Sequence, residues 1–223
     1  MLRCPWCHNR ELILGTAPLK SLDEGLAHIK KRQSVLGGVV LSGGEPCLYA
    51  ELDVLIREIK KLSLPVKLDT NGMCPLMLER LFNSRETSPD YIALDLKIAP
   101  DRYVELLPGG GISGENAVNP GEALVQSAAL IRQSGIAHEY RTLVLPSGPG
   151  HSFPEPAGFI TEKDIEALAP LADDSPWYFR PFRGGNCLDP SWDKLEESAG
   201  IAELRAKVLT DKAREQKEVG SRR

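Results

Sequence analysis

Five short apolar runs separated by helix-period segments constrain this chain more than any other feature. They are Gly38–Leu41, Val66–Leu68, Tyr91–Leu96, Glu139–Leu145 and Trp177–Phe182. Between them lie segments with helical signals. Ser21 with Glu24 three residues on reads as a capping box. Leu52, Leu55, Ile56 and Ile59 share one face of a helix ending near Leu62. Pro75 opens a helix through Phe82, Glu122 to Gln133 is another, and Thr161 with Asp164 caps a further one. Strand and helix alternate about every 25 to 40 residues, a spacing that builds parallel βα units.

The polar residues after these runs sharpen the expectation. Leu41 is followed by Ser42-Gly43-Gly44-Glu45-Pro46, Leu68 by Asp69-Thr70-Asn71-Gly72, and Leu94 by Asp95 with Lys97 beyond it. Arg141 lies within the fourth run, and Arg180 and Arg183 close the fifth. In a parallel barrel the carboxyl ends of all strands meet at one mouth, where these groups would converge. No G-x-G-x-x-G turn follows the first strand, which disfavours a dinucleotide fold. Five strands cannot close an eight-stranded barrel. The expected fold is α/β, an open partial TIM-like barrel, with residues 1–197 as the barrel domain and 198–223 as a C-terminal helix and charged tail.

Composition excludes several classes. A formal net charge of -4 lacks the basic excess of a phosphate-backbone binder, so no nucleic-acid partner is expected. No apolar run is long enough to span a bilayer, so no membrane partner is expected and the cytoplasm is the expected location. Five cysteines without framework spacing argue against a disulfide scaffold.

Two of those cysteines stand apart. Cys4-Pro5-Trp6-Cys7-His8-Asn9 places two thiols three residues apart beside a histidine. Such a pair can grip one edge of a soft metal. It can equally be a thiol pair without metal, or a redox motif, although a redox C-x-x-C usually follows a strand. Gly109-Gly110-Gly111 with Gly114 lacks the Lys-Ser or Lys-Thr of a phosphate loop and reads as a plain loop. His138 and His151 are unpatterned and read as ordinary surface or core histidines.

The Cys4–Asn9 run resembles the second half of the C-x-x-x-C-x-x-C signature of radical S-adenosylmethionine enzymes, with Leu2-Arg3 matching the residues before Cys4. The resemblance continues through Gly43-Gly44-Glu45-Pro46 and is most discriminating at Asp69-Thr70-Asn71-Gly72 and Asp95-Leu96-Lys97. Those two stretches are similar to the subgroup that activates glycyl-radical enzymes. The resemblance spans Leu2 to about Asp189. It implies a [4Fe-4S] cluster held by Cys4 and Cys7. Glu45 and its turn would bind the ammonium of S-adenosylmethionine, and Asp69 and Asp95 a monovalent cation beside the cosubstrate. Lys97 would contact the cosubstrate directly. Trp6 would pack on the adenine or shield the cluster, and Arg141 would touch cosubstrate or peptide. The Pro-Trp between the cysteines and Tyr91–Lys97 look most like the activating proteins of anaerobic ribonucleoside-triphosphate reductase.

The implied chemistry is one-electron cleavage of S-adenosylmethionine to methionine and a 5′-deoxyadenosyl radical, which takes hydrogen from a glycine Cα of the partner. Reduced flavodoxin or ferredoxin is the implied electron donor. On this alignment the family's first cysteine falls one residue before Met1, after a first strand also lacking here. The expectation is therefore a chain N-terminally truncated relative to the family, with Cys47 as a candidate replacement thiol. Action on a small molecule, and a truncated inactive paralogue, are the alternative readings.

Overall fold

The computed structural model describes residues 2–18, 20–107, 119–145, 160–172, 174–195 and parts of 207–214. Its centre is one five-stranded sheet: β1 (Val39–Leu41), β2 (Val66–Thr70), β3 (Tyr91–Asp95), β4 (Ala137–Val144) and β5 (Trp177–Pro181). The strands lie in chain order and every neighbouring pair is parallel. The expected open α/β half-barrel is what forms. All five apolar runs became its strands, with ends shifted by one or two residues.

Among the described residues, the helices that accompany the sheet are α1 (Arg10–Leu14), α2 (Leu22–Arg32), α3 (Leu52–Lys61), α4 (Pro75–Phe82), α5 (Pro120–Ser134) and α6 (Glu162–Ala172). Their start signals are legible in the side chains. The Ser21 hydroxyl accepts from the Glu24 amide while the Glu24 carboxylate accepts from the Ser21 amide, closing the foreseen capping box. Thr161 and Asp164 repeat the arrangement before α6. Pro75 and Pro120 each open a helix, where a missing N–H costs nothing. Helix α1 was not foreseen. It has five residues, no side-chain cap and no buried residue, too little to print an apolar stripe on the sequence.

Side chains alternate across the sheet, as strand geometry dictates. Val66, Leu68, Ile92, Leu94, Tyr140 and Val144 are buried. They share the core with Leu52, Ile56 and Ile59 of α3, Leu78 and Leu81 of α4, and Leu124 and Ile131 of α5. Lys67, Asp69, Tyr91, Asp95, Glu139 and Arg141 occupy the alternate positions and are only half-buried. The glycine-rich stretch at 109–114, His151 and most of 198–223 lie outside the described residues. His138 is structural: its ring meets Ile136 O and the Ser175 hydroxyl and stands edge-on to Tyr140.

Candidate active site

The carboxyl ends of the five strands surround a cavity of about 490 Å³. Cys4, Trp6, Cys7, Gly43, Gly44, Glu45, Asp69, Thr70, Asn71, Asp95, Lys97 and Arg141 all line it. Pro46, also singled out in the sequence, does not. It starts the short 3-10 turn Pro46–Leu48 behind the glycines. Parallel strands in register bring residues far apart in sequence to one rim, the convergence expected of such a fold.

The thiol pair sits at this rim. The Cys7 amide donates to Cys4 O at 3.0 Å, so the two cysteines bracket a tight turn. Cys4 is buried and Cys7 half-buried. Burial pushes the Cys4 thiol above its ordinary pKa, and nearby Lys97 pulls it back toward ionisation. Burial opposes the charge on Lys97 in turn, but Asp95 and Cys4 outweigh it, and the ammonium is held well above its usual range. Lys97 Nζ lies 3.0 Å from Asp95 Oδ2. A thiol, an ammonium and a carboxylate therefore form one electrostatic unit at the end of β3.

The Gly43-Gly44-Glu45 turn is fixed more firmly than its sequence suggests. Glu45 is 7% exposed. Its Oε1 accepts from the Thr70 hydroxyl at 2.7 Å and the Cys47 amide at 3.1 Å, and its Oε2 from the Asn71 amide at 2.7 Å. One carboxylate thus clamps the end of β1 to the end of β2. Its spare lone pairs remain as acceptors for a cation. Gly72 completes the β2 turn at φ +76°, where a Cβ would meet Leu94 Cδ1 at 2.9 Å, so both backbone and packing require glycine.

Arg141 crosses the sheet. Its Nε donates to Glu139 at 2.6 Å and its Nη1 to Asp69 Oδ2 at 3.3 Å. In register, Ala93 of β3 lies between Asp69 and Glu139, and its small side chain leaves the guanidinium room to pass. Lys67 and the Tyr91 hydroxyl also reach Glu139, at 3.4 and 3.0 Å. Burial and the neighbouring carboxylate raise the Tyr91 pKa to about 12. The buried Asp69 Oδ1 has no hydrogen-bond partner, and Lys67 Nζ pairs with it only at 3.8 Å. An unsatisfied carboxylate oxygen at a polar rim is suited to a cation.

Several residues escaped the sequence reading. Asn9 Nδ2 donates to Gly43 O at 2.7 Å, tying the cysteine run to the glycine turn across 34 residues. The Trp6 ring packs on Trp192 at a centroid distance of 5.2 Å, so one of its contacts is already taken by the protein. Thr142 and Phe182 also line the cavity, beside Arg180 and Arg183, which the strand ends had already pointed to. No local pattern announces such long-range contacts, although Asn9 belongs to the conspicuous cysteine run.

The expectation for Cys47 needs correction. Cys47 is buried behind the glycine turn, its Sγ 3.6 Å from Thr70 Oγ1. Burial and Glu45 drive its thiol pKa far upward, the reverse of a poised metal ligand. Among the described residues no three His, Cys, Asp or Glu side chains are grouped to hold a metal. Cys4 and Cys7 therefore stand as two thiols at the rim, and Cys47 does not complete a set with them.

An open parallel half-barrel with thiols, glycines and paired charges at its mouth defines a class of cofactor-dependent α/β enzyme. A family model for the radical SAM superfamily matches residues 1–160, and the chain belongs to that superfamily. It is 28% identical over 196 residues to a protein of Methanocaldococcus jannaschii named as a glycyl-radical enzyme activating enzyme, covering 87% of this chain and 74% of that one. It is 32% identical over 117 residues to the pyruvate formate-lyase-activating enzyme of Staphylococcus aureus, covering 48% of this chain and 47% of that enzyme. Streptococcus suis SuiB bound to its precursor peptide SuiA superposes with a TM-score of 0.64 at 16% identity, over 94% of this chain and 43% of SuiB. SuiB bound to S-adenosylmethionine gives 0.63 at 16% identity, over 94% of this chain and 44% of SuiB. This structural similarity shows the fold. The chain spans about half of the staphylococcal enzyme and less than half of SuiB. Among the described residues, no helix is long and apolar enough to cross a membrane.

Proposed function

We propose that this chain is an activating enzyme that uses S-adenosylmethionine to place a glycyl radical on a partner, with anaerobic ribonucleotide reductase as that partner and reduced flavodoxin or ferredoxin as electron donor. The observation that supports this most is the convergence of Cys4 and Cys7 with the glycine turn and the Asp95–Lys97 pair on one cavity. The relatives named as activating enzymes support the same reading.

An iron–sulfur cluster and S-adenosylmethionine, when bound, supply the electron transfer and hydrogen abstraction that no side chain here can perform. The chain's own residues have four tasks. Cys4 and Cys7 would hold iron, supplying two of the thiolates a [4Fe-4S] cluster needs. The Gly43-Gly44 turn, fixed by Glu45, would take the cosubstrate's ammonium, while Lys97 balances its carboxylate as a point charge. Asp69 and Asp95 carry hard oxygen donors for a monovalent cation, and the unsatisfied Asp69 Oδ1 is the clearest of them. Trp6 and Phe182 shield the rim from water, which strengthens every charge interaction inside it. The sheet does not close, and an open mouth suits a protein segment as substrate.

The test is anaerobic incubation of the iron- and sulfide-loaded protein with S-adenosylmethionine and reductant, with and without the reductase. Methionine and 5′-deoxyadenosine should form, and a glycyl-radical signal should appear on the reductase. Cleavage without that signal would favour a small-molecule substrate. Undiminished cleavage by a Cys4→Ala/Cys7→Ala protein would overturn the reading altogether.

A further inference from the structure

The cysteine loop is held on two sides. Toward the sheet, the Arg3 amide donates to Leu106 O at 2.9 Å and Asn9 reaches Gly43. The other side is closed by residues 186–189 of the segment after β5, which the functional reading above does not use. There the Asp189 amide donates to Pro5 O at 2.8 Å and the Leu188 amide to Cys7 O at 2.9 Å. Asn186 Nδ2 reaches His8 O at 3.4 Å. Residues 5 to 8 are thus paired, nearly carbonyl by carbonyl, with residues 186 to 189.

This segment is itself built rather than draped. Asp193 Oδ1 accepts from the amides of Gly185 and Cys187 at 3.1 and 2.7 Å, closing a loop back on the chain. Gly184 lies so close that a Cβ would meet Asp193 O at 2.9 Å, and Gly185 has φ +110°. Asn186 adopts φ +59°, a conformation asparagine tolerates better than most residues. Trp192 is buried and wedges between Trp6 at 5.2 Å and Phe182 at 6.0 Å. Through Trp6, the tryptophan between the two thiols, the wedge bears directly on the turn that spaces them.

We infer that residues 182–193 form a strap that presets the Cys4–Cys7 turn, with Trp192 and Asp193 as its positioning residues. Neither is among the residues lining the cavity. Trp192 fixes Trp6, and Asp193 fixes the backbone that pairs with Pro5 and Cys7. The thiols are held in their relative places before any metal arrives. The purpose of the strap rests on the metal-holding reading of the thiols, while its existence rests on contacts within this chain.

The experiment uses the full chain with Trp192→Ala, Trp192→Phe and Asp193→Ala. Amide hydrogen exchange of the metal-free protein is followed over residues 3–9, together with site-resolved alkylation of Cys7 and the rate at which iron is lost from the loaded protein to a chelator. Trp192→Ala and Asp193→Ala should speed exchange and alkylation about tenfold in residues 3–9 and leave the β2–β4 amides slow, because local opening is selective. Trp192→Phe should restore most of the protection. Iron loss should accelerate in the same order. Unchanged exchange over 3–9 in both truncations, or acceleration spread equally over the sheet, would overturn the strap. If Trp192→Ala fails to fold, Asp193→Ala decides alone. Wild-type protein that takes up no iron, with residues 3–9 still loosened in the variants, would sink the metal reading and uphold the strap.

Discussion

The two faces of the central sheet are made from the same five strands and do opposite work. One presents Val66, Leu68, Ile92, Leu94 and Tyr140, all buried against helices. The other presents Lys67, Asp69, Tyr91, Asp95, Glu139 and Arg141, engaged in ion pairs and hydrogen bonds, with Asp69, Asp95 and Arg141 lining the cavity. A shift of one residue along any strand exchanges core for chemistry. Burial on the apolar face therefore supplies stability, and the polar face is freed to carry unsatisfied groups such as Asp69 Oδ1. Two such roles can be separated by mutation.

The largest effect should come at the rim. Replacing both Cys4 and Cys7 with alanine should abolish iron binding, measured by metal content after anaerobic reconstitution, while the melting temperature stays close to that of the metal-free parent. A large fall in the apo melting temperature would show that the rim thiols belong to the core after all.

Next comes the apolar face. Leu94→Ala removes a fully buried side chain and should cost about 2–5 kcal/mol in denaturant unfolding. S-adenosylmethionine affinity per folded molecule should not change by more than about twofold. A larger drop would mean the two faces are coupled, with Gly72, packed on Leu94, as the natural route.

Glu45→Ala tests the place where the faces meet. It leaves the Thr70 hydroxyl and the Asn71 amide without their acceptor, at about 1–3 kcal/mol each where water cannot replace it. Both stability and cosubstrate binding should suffer, the latter followed by equilibrium dialysis. Weakened binding with unaltered stability would assign Glu45 to direct contact alone.

The smallest effect concerns the polar network. Burial works against the charge on Glu139, but hydrogen bonds from Arg141 and Tyr91, with the fields of Arg141 and Lys67, hold its pKa below the ordinary 4.5. A depressed carboxylate stabilises the fold above its unfolded pKa, and that contribution fades as pH falls from about 4.5 through the folded value. Glu139→Gln should flatten stability against pH in that acid window, with its full cost of about 1 kcal/mol seen near neutrality and vanishing below the window. An unchanged acid limb would place the network outside the folding balance.

Much of this molecule was legible before folding was considered. The period-two and period-3.6 patterns located five strands and five of the six helices among the described residues, because each pattern records which side of an element meets the core. The capping boxes at Ser21 and Thr161 marked helix starts through purely local bonds. Helix α1 escaped because it buries nothing. The residues after the apolar runs were expected at one mouth for a related reason, since in a parallel sheet that position alone brings them together, and they do line one cavity; Cys4 and Cys7, which follow no strand, stood out only by their own spacing.

What the sequence determined by itself was the element order, the parallel sheet and the set of polar groups at its carboxyl edge, all consequences of local periodicity and connection length. Tertiary structure alone decided how those groups are engaged. It turned Glu45 into a clamp between two strands, set Lys97 beside Cys4, passed Arg141 over Ala93, withdrew Cys47 behind the glycine turn, and laid Asn186 against His8 across 178 residues of chain. The physical reason is range. A periodicity repeats within a few residues and can be read in place, whereas a hydrogen bond between distant segments leaves no trace in either until the core has brought them together.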